Sequence, residues 1–215
     1  MADSFENYLR AINNPSSKLR RTFDDELKFL RKNVKKDCLV LELGCGVGRP
    51  TIELSKELGK CVGIDNDKRR IDMAEKNAKK AGVGNIDFIQ RDAVETGFKD
   101  ECFGMTYATY NLLGMVKESD REKLINEMAR VTKKGGKVIN ITWKDDKETT
   151  GFLRKYYPSI GLDIINIDDS KTLTSKGEFR RFTKEQLKKY YTDAGLKKIE
   201  FFDIGEVWMT IVGVK

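Results

Sequence analysis

The stretch Leu39-Val-Leu-Glu-Leu-Gly-Cys-Gly-Val-Gly48 decides the fold of this chain. It begins as an apolar, β-favouring run with one acid, Glu42, and it opens into three glycines. A helical pattern follows from Pro50. The order of strand, glycine turn and helix is typical of α/β proteins that bind a nucleotide cofactor. Glycine suits such a turn because it accepts a positive φ and lets the backbone lie directly against a ligand.

The spacing of these glycines, Gly44, Gly46 and Gly48, separates two kinds of site. The dinucleotide fingerprint G-x-G-x-x-G would need a glycine at position 49, and that position is Arg49. The pattern present is E-x-G-x-G-x-G, which resembles the first motif of class I S-adenosylmethionine (SAM)-dependent methyltransferases. A tight strand-to-helix turn without a ligand would use the same glycines, so the acids further along the chain decide between the two interpretations.

Two more apolar strands end in an acid. The run 60–65 ends in Asp65, 21 positions after Gly44. In nucleoside-binding α/β folds an acid about 20 residues after the glycine loop accepts hydrogen bonds from the ribose hydroxyls. The next strand starts at Ile86 and leads to Asp92. A helix N-cap would also favour aspartate at such positions. The glycine loop, Asp65 and Asp92 nevertheless occur in the order and at the separations expected of a cofactor site.

The resemblance to the methyltransferase family implies roles for these residues. Asp65 is expected to bind the ribose, Asp92 to accept a hydrogen bond from the adenine amine, and the backbone N–H of Ala93 to donate to the adenine ring. The expected cofactor is SAM, and the residues expected to bind it are Glu42, Gly44, Cys45, Gly46, Gly48, Asp65, Asn66, Asp92, Ala93 and Tyr110.

Alternating strands and helices predict a parallel sheet with right-handed crossovers. Strands are expected at 38–43, 60–64, 86–90, 102–108, 137–143, 197–204 and 207–214, and helices at 17–33, 50–58, 67–81, 119–131 and 183–194. The last two strands, joined by a tight turn at Gly205, should be antiparallel. The predicted fold is therefore α/β and doubly wound, with a seven-stranded, mostly parallel sheet, an antiparallel C-terminal strand pair and helices on both faces.

The whole chain, residues 1–215, is predicted to form one methyltransferase domain. Residues 1–35 are interpreted as an N-terminal helical cap, and residues 144–182 as a small lid inserted after the fifth strand. In the resembled family such an insert covers the cofactor and shapes the acceptor pocket. Aromatic residues cluster in this insert, so Tyr156 is a candidate acceptor contact. A separate small core is the alternative explanation for these aromatic residues.

Composition excludes several classes of protein. The chain has a net charge of +7, no histidine, and four cysteines without a C-x-x-C spacing. Such cysteines indicate free thiols in a reducing cytoplasm, and a zinc site is not expected without histidine. Asp145 and Asp146 are interpreted as a solvated loop, so no metal is predicted. No apolar run is long enough for a transmembrane helix, and the first residues lack the pattern of a signal peptide.

The fourth strand ends in Tyr110 and Asn111, which are the candidate catalytic residues. In the resembled family this strand tip faces the transferable methyl group. Methyl transfer from a sulfonium is an in-line displacement, so the protein has to align the acceptor, the methyl group and the sulfur. A general base is needed only if the acceptor must lose a proton, and no histidine exists for that task. The alternatives are core packing for Tyr110 and a turn for Asn111.

The acceptor is predicted from the same strand tip and from the charge of the C-terminal part. Methyltransferases that act on nucleic-acid amines usually carry the motif Asn/Asp-Pro-Pro-aromatic at this strand tip. In this chain no proline follows Asn111, so the tip resembles that of the small-molecule branch of the family. Residues 171–198 hold nine Lys/Arg against three Asp/Glu, a charge that would attract an anionic metabolite or RNA. Arg180 and Arg181 are the candidate clamps for an anionic acceptor. Period-two alternation sends them to opposite faces, so only one should point into the pocket.

The leading prediction is a cytoplasmic enzyme that transfers the methyl group of SAM to a nitrogen, oxygen or sulfur atom of a small molecule. An RNA methyltransferase is the second hypothesis, favoured by the net charge and opposed by the strand-tip motif, so a nucleic-acid partner is not expected. A non-catalytic SAM-binding partner subunit is the third hypothesis.

Overall fold

The computed structural model describes residues 3–168 and 170–215. Its main sheet has seven strands, which are β1 (Val40–Leu43), β2 (Cys61–Asp65), β3 (Ile86–Gln90), β4 (Phe103–Ala108), β5 (Thr132–Trp143), β9 (Lys197–Ile204) and β10 (Trp208–Val214). The remaining strands, β6 (Ile164–Ile167), β7 (Lys171–Thr174) and β8 (Gly177–Arg180), form a second, three-stranded sheet.

The seven strands lie in the order β3-β2-β1-β4-β5-β10-β9. The first five are parallel, and β10 is antiparallel to both β5 and β9. This arrangement confirms the predicted doubly wound sheet with an antiparallel C-terminal pair. The order of the strands reverses between β1 and β4, and in open α/β sheets ligands bind outside the carboxyl ends of the strands at such a point.

Eight helices surround the sheets in the described part of the chain. They are α1 (Asp3–Asn13), α2 (Ser17–Asn33), α3 (Arg49–Ser55), α4 (Lys68–Lys80), α5 (Leu112–Met115), α6 (Glu118–Val131), α7 (Lys147–Ser159) and α8 (Lys184–Asp193). One buried apolar cluster joins the main sheet to α2, α3 and α7, and a second joins it to α6 and α8. Apolar packing on both faces is what a doubly wound sheet requires.

Local sequence explains where several helices begin. The side chain of Asp67 caps α4, and Thr183 and Gln186 form a complete capping box at α8. The sequence predicts that Ser119 caps α6 and that residues 133–136 form a turn, and both of these local expectations are wrong. The residue that caps α6 is Lys117, without a side-chain hydrogen bond, because Glu118 already begins the helix. Residues 133–136 belong to β5 rather than to a separate turn, since the chain stays paired there.

The segment 144–182 contains α7 and the three-stranded antiparallel sheet β6-β7-β8. It is joined to the main sheet by a bridge between Lys144 and Phe182. All four cysteines are free, as predicted. Within the described residues, no helix combines the length and apolarity that crossing a bilayer requires.

Candidate active site

A cavity of about 280 Å³ lies at the carboxyl ends of β1, β2 and β4, where the strand order reverses. Its wall comes from the glycine loop, from α1, from the tip of β4 and from the segment 144–182. Its lining includes Tyr8, Gly44, Cys45, Gly46, Arg49, Asp65, Tyr110, Asn111, Trp143, Tyr156, Tyr157 and Phe179.

The glycine loop has the backbone conformation that its sequence predicts. φ is +68° at Gly44, +54° at Gly46 and +82° at Gly48. Gly44 and Gly46 line the cavity. Gly48 has another role, because a Cβ there would lie 2.7 Å from the Phe88 ring of β3 and 3.2 Å from Ala74 of α4. The third glycine therefore permits close packing of the protein on itself rather than access to the cavity.

Asp65 ends β2 and is almost fully buried. Its carboxylate accepts hydrogen bonds from the backbone N–H groups of Gly46 and Asp67, both at 3.0 Å. Nη1 of Arg70 lies 3.6 Å from the same carboxylate. Asp65 thus holds the glycine loop and the start of α4 together at one side of the cavity. Its two oxygens match the two vicinal O–H donors of a ribose.

Tyr8 of α1 lies directly over the glycine loop, which the sequence analysis missed. A Cβ on Gly46 would be 2.1 Å from the Tyr8 hydroxyl oxygen. That oxygen accepts a hydrogen bond from the backbone N–H of Val47 at 3.4 Å, and Arg70 stacks 4.7 Å from the ring centroid. Burial raises the pKa of Tyr8 well above its ordinary value, so the phenol stays neutral. The sequence predicted this helix only as part of the N-terminal cap, residues 1–35, and such a prediction carries no information about which loop the helix covers.

Glu42 lies beneath the loop and does not line the cavity. Its carboxylate accepts hydrogen bonds from Thr51, from Tyr107 at 3.2 Å and from Thr109 at 3.1 Å. Burial raises the pKa of Glu42 to about 8, although the hydrogen bond from Thr51 acts in the opposite direction. Glu42 therefore ties β1 to α3 and β4, and through these contacts it supports the cavity from below.

A second buried carboxylate, Glu26 of α2, pairs with Arg49 at the start of α3. Burial raises the pKa of Glu26, while the positive charge of Arg49 lowers it. The guanidinium of Arg49 also stacks on Phe23, 4.0 Å from the ring centroid. Arg49 was named only as the residue that breaks the dinucleotide fingerprint, and Glu26 was not named at all. A polar position on a helix does not indicate that its side chain will be buried against a partner 23 residues away.

Tyr110 and Asn111 both lie in the left-handed region, with φ of +52° and +63°. Such a conformation is strained for residues other than glycine and often occurs at functional sites. The Asn111 side chain is used inside the protein. Its oxygen accepts hydrogen bonds from Thr142 and from the Trp143 N–H, and its amide donates to the Arg180 carbonyl at 3.1 Å. Asn111 thus fixes the tip of β4 to β5 and β8.

Aromatic rings form the other half of the cavity. Tyr110 contacts Trp143 at a centroid distance of 6.3 Å, Trp143 contacts Tyr156 at 6.1 Å, and Tyr157 contacts Phe179 at 5.0 Å. The hydroxyls of Tyr110 and Tyr156 share a hydrogen bond. Burial raises the pKa of Tyr110 to about 12 and raises those of Tyr156 and Tyr157 further. We call these five residues, Tyr110, Trp143, Tyr156, Tyr157 and Phe179, the aromatic chamber.

The two candidate clamp residues do not line the cavity. Arg180 donates to the Ser170 hydroxyl at 2.8 Å. Arg181 is fully buried, donates to the Thr172 hydroxyl at 2.8 Å and to the Asp168 carbonyl, and lies 3.7 Å from Asp145. The expectation that one arginine points into the pocket disagrees with this arrangement. Alternation does separate the two side chains, but both are used to hold the small sheet.

The remaining predicted cofactor residues divide into two groups. Cys45 is buried and lines the cavity, and burial keeps the pKa of its thiol high. Asn66, Asp92 and Ala93 lie outside the cavity, beyond the ends of β2 and β3. Asp92 accepts a hydrogen bond from the Val94 N–H at 3.0 Å, which is a local turn contact. The described residues contain no group of three or more histidine, cysteine, aspartate or glutamate side chains placed to hold a metal ion.

Comparison with known proteins points to one family. The profile of a family described as "Methyltransferase domain" matches residues 40–136, which include the glycine loop, Asp65 and the tip of β4. A ubiquinone/menaquinone biosynthesis C-methyltransferase of an Enterobacter species is 25% identical over 181 residues, covering 80% of this chain and 71% of the relative.

Two solved structures share the fold at low sequence identity. A protein of Pyrococcus horikoshii OT3 aligns with a TM-score of 0.79 and 19% identity over 98% of this chain and 97% of that one. A SAM-dependent methyltransferase of Methanosarcina mazei aligns with a TM-score of 0.70 and 21% identity over 87% of this chain and 96% of that one. At these identities the similarity is one of fold.

Proposed function

Because the chain is a class I SAM-dependent methyltransferase, we propose that it transfers the methyl group to a nitrogen, oxygen or sulfur atom of a small molecule by in-line displacement. The observation that carries this proposal is the cavity itself, which leads from the glycine loop into the aromatic chamber. A chamber that leads off the cofactor loop provides room for an acceptor, which a purely cofactor-binding subunit would not need. We also propose a cytoplasmic location, because a reducing compartment keeps the four free thiols reduced.

The residues around the glycine loop fit SAM. Gly44 and Gly46 present backbone without a side chain to the cavity, and the Asp65 carboxylate is placed to accept the ribose hydroxyls. We propose Asn66, Asp92 and Ala93 for the adenine end, which would extend along the ends of β2 and β3. When bound, SAM supplies an electrophilic methyl group on a positively charged sulfur. The ring of Tyr110 lies at the tip of β4, where its face can stabilise that positive charge.

The aromatic chamber is proposed to bind the acceptor. Buried rings exclude water and hold a small molecule by contact area, and hydroxyl groups among them fix its orientation. The Tyr157 hydroxyl is buried and makes no hydrogen bond of normal geometry, although the Trp143 side chain is close enough to lower its pKa. Its O–H can therefore donate to a polar group of the acceptor. The segment 144–182 supplies most of this chamber, and together with α1 it forms the proposed lid.

The tyrosines of the chamber stay protonated at neutral pH because burial raises their pKa values. They therefore act as neutral hydrogen-bond donors rather than as general bases. Glu42, whose pKa is raised to about 8, lies under the loop and does not reach the cavity. The proposed reaction is consequently one in which the acceptor atom already carries its lone pair, and the protein contributes alignment and exclusion of water.

An acceptor carbon atom is a second candidate. The relative from Enterobacter is named a C-methyltransferase, and flat aromatic walls suit a planar, electron-rich ring as well as an aliphatic amine or thiol. Tyrosine hydroxyls that donate hydrogen bonds to a ring oxygen would favour its anionic form and so enrich the neighbouring carbon. The position of the new methyl group in the product separates this candidate from the first.

The test is incubation of the protein with methyl-labelled SAM and a metabolite extract, followed by identification of the labelled product. We expect a labelled small molecule with the wild type and none with Gly46→Val, which blocks the loop. Tyr157→Phe, which removes one hydroxyl and keeps the ring, should raise the acceptor KM and leave SAM affinity unchanged. Label that appears only in RNA, or in no product while SAM still binds, would refute the small-molecule proposal.

A further inference from the structure

We propose that Arg49 binds the α-carboxylate of the cofactor's methionyl group, with Glu26 holding the guanidinium in position. This assignment rests on the cofactor site proposed above. It adds a binding residue that the motif does not contain, since the position of Arg49 is the one at which the glycine pattern has already ended.

One end of the Arg49 guanidinium is bound, and the other end has no hydrogen-bond partner. Nη2 pairs with the Glu26 carboxylate, whereas Nη1 is buried without a hydrogen-bond partner. Buried guanidinium N–H groups are rarely left unsatisfied, because the hydration removed by burial is not replaced. Arg49 lines the cavity together with Tyr8 and Tyr110, and Phe23, on which its guanidinium stacks, also contacts the Tyr110 ring at a centroid distance of 6.0 Å. An anionic group in the cavity would complete its hydrogen bonds.

The order of the strands indicates which anionic group this is. Asp65 marks the ribose side at β2, and Tyr110 marks the methyl side at β4, with β1 between them. A cofactor that runs from β2 towards β4 brings its amino-acid end over β1 and the start of α3. Arg49 begins α3. The other arginine at the cavity, Arg70, lies 3.6 Å from Asp65 and 4.0 Å from Asp67, so its charge is directed to the ribose side.

The buried partner explains why the arginine is held in one orientation. Glu26 is fully buried on α2, and Phe23 of the same helix stacks on the guanidinium. Two contacts from one helix restrict the rotation of a long side chain, so less entropy is lost when a carboxylate binds. Glu26 acts through Arg49 and is a positioning residue.

The experiment compares SAM with decarboxylated SAM, which lacks only the carboxylate. Binding is followed by calorimetry or by the fluorescence of Trp143, which lines the cavity, so no turnover is needed. Wild-type protein should bind SAM about ten-fold or more tightly than decarboxylated SAM. Arg49→Met should lose that preference. Its affinity for SAM should be about ten-fold or more weaker than that of the wild type, and its affinity for decarboxylated SAM should be little changed. Arg31→Met is the matched control, because Arg31 makes surface pairs with Glu53 and Glu57 and does not line the cavity.

A second pair of variants keeps the test valid if Arg49→Met fails to fold. Removal of Arg49 leaves Glu26 buried without its partner, so Glu26→Gln and the double variant Glu26→Gln/Arg49→Met are measured as well. The preference for SAM should persist in Glu26→Gln and disappear in the double variant. The inference would be overturned if the removal of Arg49 reduced the affinities for SAM and decarboxylated SAM equally. It would also be overturned if the wild type bound both ligands with equal affinity. Failure of the wild type to bind either ligand would instead contradict the proposed cofactor site.

Discussion

Replacement of Gly46 by alanine tests the central contact of the site, which is the approach of Tyr8 to the glycine loop. Gly46 has a φ of +54°, and the new Cβ would lie 2.1 Å from the Tyr8 hydroxyl oxygen and 2.7 Å from the adjacent ring carbon. The three nearest atoms all belong to Tyr8. The substitution therefore has two separable costs, which are backbone strain at a positive φ and displacement of one side chain.

The strain can be estimated from the backbone alone. A left-handed conformation costs a residue with a Cβ about 1–2 kcal/mol. For a chain of this size that corresponds to a decrease in Tm of roughly 2–8 °C. The displacement of Tyr8 adds to this decrease, because it also moves the ring away from Arg70 and Tyr110. In a Tyr8→Ala background only the strain should remain.

The assay is thermal unfolding of four proteins without cofactor, namely the wild type, Gly46→Ala, Tyr8→Ala and the double variant. Gly46→Ala should lower Tm more in the wild-type background than in Tyr8→Ala. Equal decreases in both backgrounds would refute the placement of Tyr8 over the loop. SAM affinity, measured by calorimetry, should be abolished in both variants that carry alanine at position 46. Recovery of SAM binding in the double variant would mean that Gly46 faces only Tyr8 and does not contact the cofactor.

Three further outcomes are expected. Asp65→Ala should weaken SAM binding by about 1.5–3 kcal/mol for each hydrogen bond to the ribose that it removes, and Asp92→Ala should weaken it less. If Asp65→Ala binds SAM with wild-type affinity in a titration, Asp65 does not bind the ribose. Glu42 has a folded pKa of about 8 against an ordinary 4.5, so the native state holds its proton more tightly, and the free energy of unfolding should fall as pH rises through this range. Denaturant titrations from pH 4 to 9 should show this fall, by roughly 5 kcal/mol at most, in the wild type, and a smaller fall in Glu42→Gln, where the raised pKa of Glu26 remains. Arg181→Met should lower the free energy of unfolding by about 3 kcal/mol or more, since it leaves buried partners of a charged group unpaired, whereas Arg180→Met should lower it less. If Arg181→Met instead has normal stability and a raised acceptor KM, the hypothesis that Arg181 binds the acceptor is restored.

Local signals predicted the sheet and the loop well. The observed bounds of β3 and β9, Ile86–Gln90 and Lys197–Ile204, are those expected from the sequence. Periodic apolar runs, glycines that need a positive φ, and an acid at a fixed separation are all properties of neighbouring residues, so one sequence is enough to recognise them. The same signals predicted that Gly44, Gly46 and Asp65 come together, and all three line one cavity.

The contacts that the sequence did not predict join segments far apart in the chain. Tyr8 reaches Val47, and Glu26 reaches Arg49, across two separate elements. Whether a charged residue on a helix is solvated or buried depends on which surface the helix meets, and the helix pattern alone does not contain that information. For Arg181 the error was the reverse, because the sequence predicted a ligand contact where the structure has internal hydrogen bonds. Its basic, alternating context predicted a ligand clamp, but its donors are used within the segment 144–182.

The polar groups of the site largely satisfy one another, and this determines what cofactor binding can contribute. The Asp65 carboxylate already accepts the Gly46 N–H, and the Tyr8 hydroxyl already accepts the Val47 N–H. A ribose hydroxyl or a cofactor amine that takes over one of these partners exchanges one hydrogen bond for another, which yields little net free energy. Net gain is largest where a buried group still lacks a hydrogen bond of normal geometry, as do Nη1 of Arg49 and the Tyr157 hydroxyl, two residues that line the cavity. Affinity for the cofactor and selection of the acceptor should therefore depend more on these two groups than on the motif residues that identify the family.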